Sequence, residues 1–188
     1  MEWLQTSLHR LFRRHVQSEA GNAGIEFALI APVFLLLLAA TLEIGLMMRA
    51  QFGLISAVSA AANHSLVLGD GVTEDTAVSM AETLARLVAG GRREGTVNVN
   101  NAAFARLGGD AISLWGTGAG VGNCFCPTRT NGSITWGAAV PCGTVCNDSS
   151  EAGQFVEITA QASFTPILGI VGLFRDDLLR NSAVVRLP

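Results

Sequence analysis

The pattern of apolar and polar positions divides the chain into two unequal parts. Residues 27–48 read FALIAPVFLLLLAATLEIGLMM, 22 residues with a single charge, Glu43. As a helix rising 1.5 Å per residue the run spans about 33 Å, close to the roughly 30 Å hydrocarbon core of a bilayer. The core helix of a globular domain normally keeps a polar face, and this run has none, so the pattern predicts a transmembrane helix. Pro32 lies inside the run and predicts a kink, because it lacks the backbone donor that the helix would use there. The apolar positions then thin to Leu54, Ile55, Val58, Ala61 and Ala62 at helical spacing. That spacing predicts an amphipathic extension of the same helix.

Further along, Thr73-Glu74-Asp75 carries the residue types that open a helix. Ala77, Met80, Ala81, Leu84 and Val88 line one face of it, and Gly90-Gly91 closes it, with Arg92 and Arg93 beside the end. Alternating segments follow at residues 96–100, 111–115 and 133–140. The clearest is 155–164, where Val156, Ile158, Ala160, Ala162 and Phe164 share one face. Residues 181–187 read as a last strand, and the apolar stretch 166–174 as a turn or short helix near membrane or partner. Strands in series after helices predict an α+β fold: a long N-terminal transmembrane helix extending into an outer domain, with a second helix packed on a small antiparallel sheet. The expected organisation is a basic leader at 1–21, the helix with its extension at 22–68, and the outer domain at 69–188. The glycine-rich loop at 116–122 is no phosphate cradle, because no Lys-Ser/Thr pair follows it.

Charge sets the orientation and excludes one class of partner. Twelve basic residues, all Arg, stand against 15 acidic ones. With no basic face and no Tyr for base stacking, nucleic-acid binding is excluded. Arg10, Arg13 and Arg14 precede the apolar run, and only Arg49 closely follows it. Positive charge stays cytoplasmic, so the N-terminus is expected inside and the outer domain periplasmic. Trp3, Leu4, Leu8, Leu11 and Phe12 give the leader an apolar side suited to the lipid surface. The run is longer than the apolar core of a secretory signal, which argues against ordinary signal-peptidase removal. Glu43 near the outer end of the span has two readings: it reaches the headgroups, or it contacts a partner helix.

All four cysteines, Cys124, Cys126, Cys142 and Cys146, lie in one short stretch. Cys-x-Cys is tight for zinc, and an oxidising compartment favours disulfides, so a stapled loop at 124–146 is preferred to a metal site. A bond within Cys124-Phe125-Cys126 is strained, which leaves crossed or nested pairing between the two clusters. His, Ser and Asp residues form no convergent set, so neither an enzyme nor a cofactor is expected.

Glu26 remains, a carboxylate at the mouth of the apolar run. Gly21, four residues, Glu26 and the aromatic Phe27 resemble the processing motif of type IVb (Flp-type) prepilins. The wider stretch GNAGIEFALIAPVFLLLL…LEIG resembles TadE-family pseudopilins of tight-adherence (Tad) secretion systems, and FVEITAQASFTPILGIVGLF…AVVRLP loosely resembles that family's ending. The resemblance implies a minor pilin cut after Gly21 by a membrane-embedded prepilin peptidase, leaving Asn22 as the new N-terminus. It implies other Tad/Flp pilins and an inner-membrane assembly platform as partners, with the bilayer as surroundings. Phe27 in place of the usual Tyr, and the long C-terminal region, favour a minor pilin over the main filament subunit. A carboxylate one turn from the new α-amino group complements the helix dipole and offers that amine a partner in a packed bundle. The competing reading is an uncleaved single-pass anchor that recruits a partner through its outer domain.

Overall fold

The computed structural model describes residues 19–90, 93–130, 133–166 and 178–188. The leader apart from its last residues, Arg92, the Asn131-Gly132 turn and most of the 166–174 stretch lie outside these residues. The chain forms two compact units, Met1–Leu46 and Met47–Pro188.

Helix α1, Glu19–Leu68, is 50 residues long and passes through Pro32 as helix. Within the first unit its apolar side chains are exposed all round, from Ile25 and Phe27 through Leu38 and Leu42. In water that surface would carry a large free-energy cost. Ala23–Leu68 is accordingly the one described helix long and apolar enough to cross a membrane.

The second unit is an α+β domain built on a five-stranded antiparallel sheet in the order β3-β2-β1-β6-β7. Its strands are β1 (Arg93–Val99), β2 (Ala103–Gly108), β3 (Ala111–Trp115), β6 (Phe155–Ser163) and β7 (Leu178–Arg186). The three-residue strands β4 (Thr128–Thr130) and β5 (Ser133–Thr135) pair separately. Central β1 pairs β2 through Val97↔Ala105 and β6 through Val97↔Ile158. One face of the sheet receives helix α2, Glu74–Val88. Ala77, Met80, Ala81, Leu84, Ala85 and Val88 are buried there with Val97, Val99, Ala103, Ala105, Val156, Ile158 and Ala160. Small Ala residues on the strands give Leu84 and Ile158 room to interdigitate, which close packing requires. The C-terminal part of α1 joins the same core through Leu54, Val58 and Ala61.

Several expectations shift. Ile55 is exposed and Ala57 is buried, so the inward stripe of α1 is rotated slightly from the expected one. The strand expected over 133–140 ends at Thr135, and Val140 makes only an isolated bridge to Cys124. Gly137, at φ 73, breaks the extended run. Strand β2 follows directly on the β1 turn and has no counterpart among the expected strands. Its residues Ala103, Phe104 and Ala105 mix small and aromatic side chains without a clean polar alternation.

Candidate assembly site

The residues singled out at the head of the chain lie on one continuous helix. Gly21 and Asn22 are already helical in α1. Glu26 is exposed, and Phe27 beside it is 73% exposed. Among the described residues no ion pair includes Glu26. A carboxylate on an exposed apolar helix, unpaired among the described residues, is open to a partner brought by another molecule. Pro32 lies between Glu26 and the next carboxylate.

Glu43 is a different case. It is 7% exposed, and its Oε1 accepts no hydrogen bond among the described residues. Seventeen residues of helix separate it from Glu26, about 25 Å along the axis and roughly a quarter-turn away in azimuth. The two carboxylates are therefore separate features. Nearby, Thr41 Oγ1 donates to the Leu38 carbonyl at 2.7 Å, satisfying the hydroxyl within the helix.

The second unit places the cysteines in a long insertion between β3 and β6. The bonds are Cys124–Cys142 and Cys126–Cys146, the crossed pairing. All four sulfurs are thereby committed to disulfides. Phe125 packs edge-on against Trp136, with ring centroids 5.7 Å apart. His64 stays in α1, remote from the cysteines in sequence.

A residue that the sequence reading passed over holds the base of this insertion. Asn100 opens the turn between β1 and β2 at φ 47, in the left-handed region, and is fully buried. Its Nδ2 donates to the Val121 carbonyl at 2.6 Å and to the Asn123 carbonyl at 2.7 Å. Its Oδ1 accepts from the Phe155 N–H at 3.1 Å. One side chain thus ties the entry of the insertion to its exit. The glycine-rich loop serves the same junction. Gly118 has φ 80, and a Cβ there would collide with the Glu74 carbonyl oxygen at the start of α2. These glycines let the loop pass close to α2.

On the sheet face opposite α2, Glu94 accepts from Arg106 Nη2 at 3.0 Å and from Gln161 Nε2 at 2.9 Å. The Arg106 hydrogen bond, with help from Gln161, holds the Glu94 carboxyl below the usual range. Half-buried Glu157 goes the other way: burial raises its pKa, only partly offset by the charges of Arg180 and Arg129.

Residues 21–63 match the family model described as TadE-like protein. Over this segment the chain is TadE-like. The match begins at the glycine of the prepilin-like motif, runs through Glu26, Pro32 and Glu43, and stops within α1. The TadE-like segment and the one described apolar helix fit a membrane-anchored, pilin-like protein associated with a Tad pilus. The β-rich domain, with its cystine insertion and C-terminal strands, lies outside the matched residues. No curated protein and no solved structure matches the chain.

Proposed function

We propose that this chain is a minor pilin of a Tad-type pilus, cut after Gly21 by a prepilin peptidase and assembled through its N-terminal helix. The observation that carries the reading is the coincidence of three things in one segment: the TadE-like match, the exposed apolar helix, and an exposed Glu26 that enters no ion pair among the described residues. Cleavage after Gly21 frees an α-amino group at Asn22, one helical turn from Glu26. In a bundle of such helices, the amine of one subunit and the Glu26 of its neighbour neutralise each other in a low-dielectric setting. Removing one member of a buried pair costs on the order of 3–5 kcal/mol, which makes the pair a register key that apolar surface does not supply. Glu43, near the far end of the span, is a second candidate for a helix contact, because carboxylates within a membrane usually face protein. The arginines before the span support a cytoplasmic leader and a periplasmic cystine-bearing domain, a compartment where disulfides persist. The role is structural, with no chemistry assigned to the outer domain.

The test is the intact mass and N-terminal sequence of the protein from membranes with and without the prepilin peptidase. The reading expects a chain starting at Asn22 only when the peptidase is present. A full-length chain in both membranes would instead support the uncleaved anchor.

A further inference from the structure

The cystine insertion and the sheet beneath it are held by different forces. Within the insertion the backbone pairs sparsely outside the short β4–β5 hairpin. Phe125 and Gly153 exchange hydrogen bonds of 2.9 and 3.1 Å, Val140 N–H donates to Cys124 at 2.9 Å, Ala152 N–H donates to Thr144 at 2.8 Å and Cys146 N–H donates to Ser150 at 2.8 Å. The backbone bonds from Asn123, Thr144 and Ser149 only close local turns. Its buried apolar residues are few: Val121, Cys124, Phe125 and Ala152. Of these only Val121 belongs to the main core. Residues 141–145 are exposed throughout, with Val145 at 70%. The sheet and α2, by contrast, bury a continuous apolar core that contains no cysteine. Small apolar content and few ladder bonds mark a segment of low local stability. Its order therefore rests on the two disulfides and on the Asn100 clasp at its base.

We propose that the described residues of the insertion, 121–130 and 133–153, form a redox-gated cap. The cap is ordered while Cys124–Cys142 and Cys126–Cys146 are intact and is released on their reduction, while the sheet and α2 stay folded. The surface that it presents, from Trp136 to Cys146, then exists only in oxidising surroundings. Opening each disulfide takes two electrons and two protons and yields two thiols. With a phosphine as reductant, the phosphorus is oxidised to the phosphine oxide and water supplies the oxygen. Closing them returns two electrons per bond to a disulfide-bearing thiol oxidant. Because the pairing is crossed, each bond spans nearly the same segment, with separations of 18 and 20 residues. Either bond alone therefore restrains most of the cap. The inference rests on the disulfides and the packing, and holds whether or not the chain is a pilin.

The experiment is amide hydrogen exchange followed by mass spectrometry on the full chain in detergent micelles, oxidised and then reduced with a water-soluble phosphine. The expected result is exchange on the order of 100-fold faster at the Phe125, Val140, Ala152 and Gly153 amides, the scale that closing such a loop provides. The amides of β1 and β6 keep their oxidised rates. Loss of protection in β1 and β6 in step with the cap would overturn the proposal, and so would a cap that stays protected after reduction. The paired variant Cys126→Ser with Cys146→Ser, oxidised, should keep most of the cap's protection. Loss as complete as full reduction would refute the shared-restraint argument.

Discussion

Replacing Asn100 with Ala tests whether one side chain holds the cystine insertion to its sheet. The change removes two donated hydrogen bonds and one accepted one, to Val121, Asn123 and Phe155. At about 1 kcal/mol net per bond the loss is about 3 kcal/mol, with the Val121 carbonyl left in the most buried position. Asn100 also sits at φ 47, where Ala pays about 1 kcal/mol more than residues that tolerate the left-handed region. The total, about 4 kcal/mol, is a large part of the 5–15 kcal/mol typical of a folded domain. Asn100→Gly keeps the backbone unstrained and should lose only the hydrogen-bond part, about 3 kcal/mol. Asn100→Asp keeps the acceptor for Phe155 but sets a carboxylate against two carbonyl oxygens, so it should be no better than Ala. Urea unfolding of the full chain in detergent micelles, followed by tryptophan fluorescence, measures all three. An Ala variant that loses less than about 1 kcal/mol, or Ala and Gly variants of equal stability, would refute this account.

Gly118→Ala meets both a positive φ and the Glu74 carbonyl, and should cost on the order of 2 kcal/mol in the same unfolding assay. Glu157→Gln should raise stability at neutral pH. Burial lifts the folded-state pKa of Glu157 above its ordinary value near 4.5, so its protonated form is the one that favours folding, and that advantage is lost as pH rises through the folded pKa. The gain from the variant should therefore shrink toward zero as pH falls below about 4.5, and a gain independent of pH would contradict the burial argument. Glu94 titrates with the opposite sign. Its lowered pKa adds stability above its ordinary value, which is lost as pH falls through the folded pKa, so Arg106→Met should flatten that acid limb in unfolding curves taken from pH 6 downward. In cells, a bulky residue at Gly21 should block processing, whereas Glu26→Ala should leave processing largely intact and reduce pilus number or length under electron microscopy. Normal pili in the Glu26→Ala strain would count against the pairing of Glu26 with a neighbour's N-terminus.

Features set by local periodicity were legible in the chain itself. The uninterrupted apolar run announced an exposed membrane-length helix because no other environment accepts such a surface. The stripe from Ala77 to Val88 announced the buried face of α2, and the alternation through Val156, Ile158 and Ala160 announced the inner strand β6. The Gly21–Glu26–Phe27 spacing pointed to the TadE-like segment without any tertiary information, because that motif is contiguous. Strand β2 was not legible, since its register comes from pairing with β1 on one side and β3 on the other. The cysteines showed that a staple exists, but sequence spacing allowed both crossed and nested bonds. Only the approach of the bridge partners selected Cys124–Cys142 with Cys126–Cys146. Asn100 gave no local signal at all: its partners lie 21, 23 and 55 residues away, and a buried amide earns its role only when three backbone groups converge on it. Contiguous apolar surface and short motifs act through neighbours along the chain, so sequence alone determined the anchor and the TadE-like head. Hydrogen bonds and disulfides across long loops depend on where the sheet brings distant backbone together, so only the tertiary structure decided how the cystine cap is clasped.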